Sequence, residues 1–335
     1  MGSGTSTLPT HDDYIGELRK GIMIIDTHSH WIPPAYAKAL EEEGRLDAAV
    51  EATRQIVMSA QGADLLTNLD ARFREMDEAG VDVAVIEIPP PGVGFSDPAR
   101  AAAAAAAVND ELIAACEKHL DRLRAMITLP LPHPEEAIAE IERVSDHELV
   151  RGVELFGVTS RFQTDNPDFE AVLRAIADAG LVAQMHPAFE PPADAMRAWG
   201  LGGSLGAVFG NSLAAARLIL SGTLDRIPDL DLIVTHLGGT LPFLEVRIDD
   251  LSGHGDALNS LGYYLRERVW ADNCSYHEPS LVCTVETMGA HRIVTGSDYP
   301  FRGTVKRCID DIRTSRLSPE DKDLILHHNA LRWFE

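Results

Sequence analysis

Apolar and polar positions follow two rhythms along this chain. Short runs rich in Val, Ile and Leu fall at 22–27, 81–88, 123–129, 150–156, 181–185, 230–235, 268–273 and 292–295. Near-continuous apolar runs of this length predict strands of a parallel sheet covered on both faces. Between them, 68–79, 134–145, 168–179 and 214–225 carry apolar residues at three- and four-residue spacing and predict amphipathic helices. Gly80 and Gly180 stand where the left-handed end of a helix favours glycine. The alanine run 101–107 leads into 108–119 and has strong helix propensity.

Strands alternating with helices predict a parallel sheet, and eight such units predict a closed (β/α)8 TIM barrel of class α/β. The barrel is expected as a single domain over 21–335, preceded by a flexible tail over 1–20 that is rich in Gly, Ser and Thr at its start. An open doubly wound sheet is the alternative, but no glycine-rich dinucleotide fingerprint follows the first strand. Two connections are long, about 31–67 after strand 1 and about 187–211 after strand 5. Both leave strand C-terminal ends, where barrels build their sites, so they are expected to form lids or pocket walls.

Charge narrows the partners. With 29 basic and 52 acidic residues the formal net charge is −23, a surface that repels nucleic acid and anionic membranes. An anionic small substrate stays compatible, because a bound cation and one or two arginines can set a local positive field. Cys116, Cys274, Cys283 and Cys308 form no CxxC pair, which points to free thiols in a reducing compartment. No apolar run is read as a membrane span, and the N-terminus lacks an apolar signal core, so a soluble cytoplasmic protein is expected.

The chemistry concentrates at strand ends. Strand 1 ends Asp26-Thr27-His28-Ser29-His30, and residues two apart on a strand share a face, so both imidazoles can project into the barrel mouth. Strand 5 ends in Met185-His186-Pro187, strand 6 in Thr235-His236-Leu237-Gly238-Gly239, and strand 8 in Gly296-Ser297-Asp298-Tyr299-Pro300. A lone strand-end histidine is usually structural; four strands converging on ligand-type residues are not. Three neutral imidazoles and a carboxylate suit Zn2+ or a similar divalent ion.

These motifs, with Thr240-Leu241-Pro242-Phe243, Arg247-Ile248-Asp249, Phe301 and the terminal Asn329-Ala330, resemble the amidohydrolase-2 group. That group includes aminocarboxymuconate-semialdehyde decarboxylase and related aromatic-acid decarboxylases, and the resemblance runs from Ile22 to Phe334. It implies that His28, His30, His186 and Asp298 are metal ligands, that Zn2+ (or Mn2+) is the ion, and that His236 is the neighbouring acid/base. It also implies a substrate-carboxylate role for Arg72, for which Arg74 competes, and a homodimer in which a neighbouring subunit can lend an arginine. Strand 4 reads Arg151-Gly152-Val153-Glu154-Leu155-Phe156, without the lysine that dinuclear relatives carboxylate, so one ion is expected; Glu154 is a further residue that could reach the site.

The resemblance implies non-oxidative decarboxylation of an aromatic or unsaturated acid, with His236 and Asp298 managing protons. The segments 240–243, 89–92 and 218–224 look most like salicylate-type decarboxylases, whereas His-x-His on strand 1 departs from the Glu-x-His of the resorcylate type. A hydrolase or hydratase acting on a lactone or unsaturated diacid would use the same ion to activate water. A barrel that only binds ligand is the third possibility. Phe189 and Trp199, with Trp31, Phe95 and Phe301, are the aromatic residues expected to wall the pocket.

Overall fold

The computed structural model describes residues 23–45, 64–157, 163–188, 194–301 and 303–334. The predicted tail over 1–20 and Phe189 therefore lie outside the described residues. Eight parallel strands pair in sequence order: β1 (Ile25–His30), β2 (Val83–Glu87), β3 (Leu123–Thr128), β4 (Val150–Phe156), β5 (Val182–His186), β6 (Leu232–Val234), β7 (Val269–Asp272) and β8 (Ile293–Val294). Backbone bonds from Thr27 to Thr295 and from His30 to Tyr299 join the last strand to the first, which makes the sheet a barrel. All eight predicted strands are present, with β1 extending further toward its C-terminus than its apolar run suggested.

The longer helices are α1 (Pro34–Glu42), α2 (Leu69–Ala79), α3 (Pro98–Lys118), α4 (Pro134–Val144), α5 (Pro167–Asp178), α6 (Ala207–Leu220), α7 (Leu241–Ser252), α8 (Leu261–Glu267), α9 (Glu278–Met288) and α10 (Val305–Thr314). Local chemistry sets their ends. The Asn68 side chain accepts from Ala71 N at 3.0 Å to open α2, and Gly80 at φ 75° closes it. Asp97 opens α3 in the same way, and Pro98 supplies a fixed φ at its first position. The alanine run is the first part of this 21-residue helix, with Ala101, Ala104 and Ala105 buried. Small side chains let the helix lie close to its neighbours.

One boundary differs from the sequence reading. The helix expected over 214–225 begins at Ala207 and breaks at Ser221 and Gly222, whose φ of 72° suits glycine. The long connection after β5 is correspondingly shorter, and short helical turns at Asp194–Gly200 and Gly202–Gly206 occupy its latter part. By length and composition the segment Ala198–Leu220 reaches that of a membrane span, which the sequence reading had not picked out. In the fold Ala214, Ala215, Leu218 and Ile219 on it are buried against the barrel, as in a core helix.

Two apolar layers surround the strands. The larger lies between the barrel and its helices. The smaller fills the barrel floor, where Ile25, Val83, Val85, Met126, Val182, Ile233 and Val294 meet Ala330 and Phe334 of the C-terminal segment. Asn329 anchors that plug by donating to Ala290 O at 2.8 Å and Ile293 O at 2.6 Å. With the floor sealed by hydrocarbon, the polar strand-end residues gather at the opposite mouth.

Candidate active site

His28, His30, His186 and Asp298 converge, all buried, with one ligand atom from each lying within 4.8 Å of every other. His28 Nε2 is 3.2 Å from His30 Nε2 and 3.6 Å from Asp298 Oδ1, and His30 Nε2 is 3.2 Å from the same oxygen. Donors about 2.0–2.1 Å from a tetrahedral ion stand about 3.3 Å apart, so these separations fit a coordination sphere. His186 Nε2 is buried with no hydrogen-bond partner, while its Nδ1 bonds Pro187 O at 2.9 Å. A buried imidazole nitrogen with no protein partner, beside two other imidazoles and a carboxylate, has the chemistry of a metal ligand. The residues fit a divalent metal.

Behind this cluster stands a carboxylate that the sequence reading did not single out. Asp272, the last residue of β7, bonds His28 Nδ1 through Oδ2 at 2.6 Å and leaves Nε2 facing the cluster. Its Oδ1 accepts from the backbone N–H of His236 at 2.7 Å and of Cys274 at 3.0 Å. One side chain thus sets both a ligand and the candidate acid/base. Its position at a strand C-terminal end was the available signal; that a neighbouring strand's histidine would meet it was not. Asp26 has a parallel role, accepting from Ser297 N at 2.8 Å and Ser297 Oγ at 2.6 Å to tie β1 to the segment bearing Asp298.

Burial and charge divide the titrating groups. Burial pulls His28 down, but the Asp272 hydrogen bond and the charges of Asp272, Asp298 and Glu87 outweigh it and lift His28 to about 10. His30 falls to about 4 and His186 well below the usual imidazole range, chiefly through burial. Burial pushes Asp298 up, yet the His30 hydrogen bond and nearby imidazoles hold it below the ordinary carboxylate range. Two neutral imidazoles and an ionised carboxylate are thereby ready to bind a cation.

His236 is half-buried, with its ring centroid 5.3 Å from that of His28 and 5.7 Å from that of His186. It stands beside the four-residue cluster rather than in it. Its backbone is left-handed at φ 58°, as is that of Asp298 at φ 53°. Such backbones are costly for residues with a Cβ and persist where surrounding structure imposes them, commonly at functional sites. The glycines after His236 allow a close approach: a Cβ on Gly239 would lie 2.3 Å from Ser212 Oγ on α6.

The remaining predicted residues are distributed unevenly. Arg72 is 1% exposed, donates to His30 O and lies 4.9 Å over the Tyr299 ring, whereas Arg74 is exposed. Arg72 Nε and Nη1 are buried without partners, and burial lowers its pKa to about 10. Trp199 is 92% exposed, so within one chain it walls no pocket. Phe301 packs edge-on to His30 at 5.1 Å, and Phe156, which the sequence reading did not name, is 6.1 Å from His186. Trp31 and Phe95 are buried; Trp31 donates to Thr67 O at 3.2 Å.

Comparison with known proteins agrees with this geometry. Residues 25–335 match the amidohydrolase family Amidohydro_2. The γ-resorcylate decarboxylase of Rhizobium sp. is 28% identical over 293 residues, covering 81% of this chain and 88% of that protein. The 2-amino-3-carboxymuconate-6-semialdehyde decarboxylase of Dictyostelium discoideum is 24% identical over 83% of this chain and 81% of its own length. Among solved structures, 5-carboxyvanillate decarboxylase from Novosphingobium aromaticivorans, complexed with manganese and 4-hydroxy-3-methoxy-5-nitrobenzoic acid, is 25% identical with a TM-score of 0.85. That match covers 94% of this chain and 96% of the other. The eight-stranded barrel, the strand-end histidine–aspartate cluster and a family match spanning almost the whole chain lead to one conclusion: this protein belongs to the amidohydrolase family.

Proposed function

We propose that this chain is a metal-dependent, non-oxidative decarboxylase of an aromatic, hydroxybenzoate-like or unsaturated carboxylic acid. The observation that carries the reading is the four-residue cluster with His236 held beside it but outside it. His28, His30, His186 and Asp298 hold one divalent ion, for which the donor set suits Zn2+; manganese accompanies the 5-carboxyvanillate relative. Bound there, the ion supplies Lewis-acid polarisation of substrate oxygens. His236 and Asp298 hold and deliver the proton that replaces the departing carboxyl group on carbon. Arg72, whose Nε and Nη1 are buried without partners, is the residue of this chain offered to the substrate carboxylate. Phe301 and Phe156 supply apolar walls beside the imidazoles.

The working form we propose is a homodimer. Of the twelve residues of α7 only Leu241 and Pro242 are buried, and Phe243 and Val246 are 81% and 64% exposed. Trp199 and Leu258 add to the exposed apolar surface of this chain, and such surface marks association sites. Free cysteines at all four positions support a reducing, cytoplasmic setting.

The test offers hydroxybenzoates, muconate acids and lactones to metal-replete enzyme, with headspace carbon dioxide and product mass as readouts. Carbon dioxide release abolished by a chelator is expected. Gain of water without carbon dioxide would replace this reading with a hydrolase or hydratase. His28→Ala should lose metal and turnover together, whereas His236→Ala should retain metal and lose about 10²–10⁴-fold in kcat. Full activity in His236→Ala would remove the acid/base assignment.

A further inference from the structure

The loop after β7 leads into α9 and meets the segment carrying Asp298 at three points. Asn273 Oδ1 accepts from Gly296 N at 2.9 Å. The Cys274 thiol lies 3.9 Å from Ser297 O. The Tyr276 hydroxyl donates to the same Ser297 carbonyl. This loop also borders the reacting side of the site, since Cys274, His236 and Asp298 each bring one atom within 4.8 Å of the others. Tyr276 has no part in the decarboxylase reading given above.

The peptide joining Ser297 to Asp298 is held on both sides. Its N–H donates to His28 O of β1 at 2.8 Å, and its carbonyl accepts from Tyr276 on the β7 side. A peptide is a rigid plane, so turning it changes the Ser297 ψ and the Asp298 φ together. Asp298 stands at φ 53°, where a residue with a Cβ stays only if its surroundings hold it. That backbone aims a carboxylate whose Oδ1 lies 3.2 Å from His30 Nε2. Without the phenol, Ser297 O would keep, among the described residues, only the Cys274 thiol, a weak donor.

Tyr276 is itself held in an unusual posture. Its backbone is left-handed at φ 56°, and the Arg307 guanidinium of α10 lies 4.6 Å over its ring. Cation–π attraction from the exposed arginine keeps the ring in place from the solvent side. A tyrosine kept on a costly backbone and reaching one buried carbonyl fits a residue whose placement matters to function.

We propose that Tyr276 is a positioning residue for Asp298: by holding the Ser297 carbonyl it sets the peptide plane that aims the carboxylate, and so governs the chemical step rather than substrate binding. The inference rests on the reading of Asp298 as metal ligand and proton carrier.

The experiment compares Tyr276→Phe with wild type as the full chain, by visible absorption of the Co2+-loaded protein and by steady-state kinetics. The variant should bind Co2+ with shifted absorption bands and lose about 10–100-fold in kcat, with KM changed by less than about twofold. A tyrosine that only braced the fold would lower the unfolding midpoint and leave the bands, kcat and KM alone, which would overturn the proposal. A raised KM at unchanged kcat would also overturn it, by making Tyr276 a substrate contact. Should Tyr276→Phe fail to fold, Arg307→Gln takes its place, because releasing the ring loosens the same hydrogen bond. Shifted bands and a smaller loss of kcat are then expected, and unchanged bands and kcat would overturn the proposal. The Co2+ bands report the ligand without turnover, so the absence of carbon dioxide release by wild type would remove the decarboxylase reading and leave this test standing.

Discussion

Asp272 shows how much of this site depends on single atoms. Its two oxygens serve different neighbours: Oδ2 fixes the His28 ring, and Oδ1 holds the backbone at His236 in its left-handed turn. Asp272→Asn keeps the shape but changes the partner offered to His28 Nδ1, so metal affinity should fall about 10–100-fold, measured by competition with a chromophoric chelator. Unchanged affinity would mean that Asp272 only braces the loop. His28 also gives metal binding a pH dependence. In the metal-free protein its pKa is raised from 6.5 to about 10, so at neutral pH it carries a proton that an incoming ion must displace. That proton stabilises the metal-free fold, a contribution fully present below pH 6.5 and lost as pH rises through about 10. Binding at pH 7–8 should thus release about one proton, read by calorimetry in buffers of different ionisation enthalpy, and affinity should climb with pH. No buffer dependence would show that His28 is already neutral.

At the scale of elements, the site depends on how closely β1, β7 and β8 approach at the barrel mouth. Just beyond β8, Gly296 lies where an added Cβ would come 2.8 Å from the Asp272 Cβ and 2.9 Å from the His28 Cβ. Gly296→Ala would therefore force apart a ligand and its carboxylate support. The expected result is a loss of about 1–3 kcal/mol in denaturant unfolding together with weaker metal binding. A variant of normal stability and full metal content would show that the mouth can relax around a methyl group. The element pattern itself was legible: eight apolar runs gave eight strands, and Gly80 marked a helix end. The helix over 207–220 starts earlier than apolar spacing predicts, because its small and polar first turns lack the three-and-four pattern. Its position is set by packing, with Asn211 Nδ2 donating to Met185 O and Thr235 O at 3.2 Å and so linking the ends of β5 and β6.

For the whole molecule, a net charge of −23 opposes the approach of a carboxylate substrate. Added salt screens that repulsion over a Debye length of about 10 Å at 0.1 M. The KM for an anionic substrate should therefore fall as ionic strength rises from about 10 to about 150 mM, measured by steady-state kinetics with metal held saturating. A KM that rises with salt would show that local positive charge at the site outweighs the surface.

By itself the sequence determined the barrel and the strand-end histidines and aspartate, because both follow from local rules. Side chains two apart on a strand share a face, and βα units return each strand's C-terminal end to the same rim. Tertiary structure decided what those rules do not reach. It buried Arg72 and exposed Arg74, although the two sit two residues apart on α2. It left Trp199 in solvent. It brought Asp272 to His28 across 244 positions and put Glu87, Gln184 and Glu154 from three strands into one buried group. Such encounters depend on register and barrel closure, which place side chains from distant strands within a few ångströms of each other. No spacing along a single strand encodes that meeting.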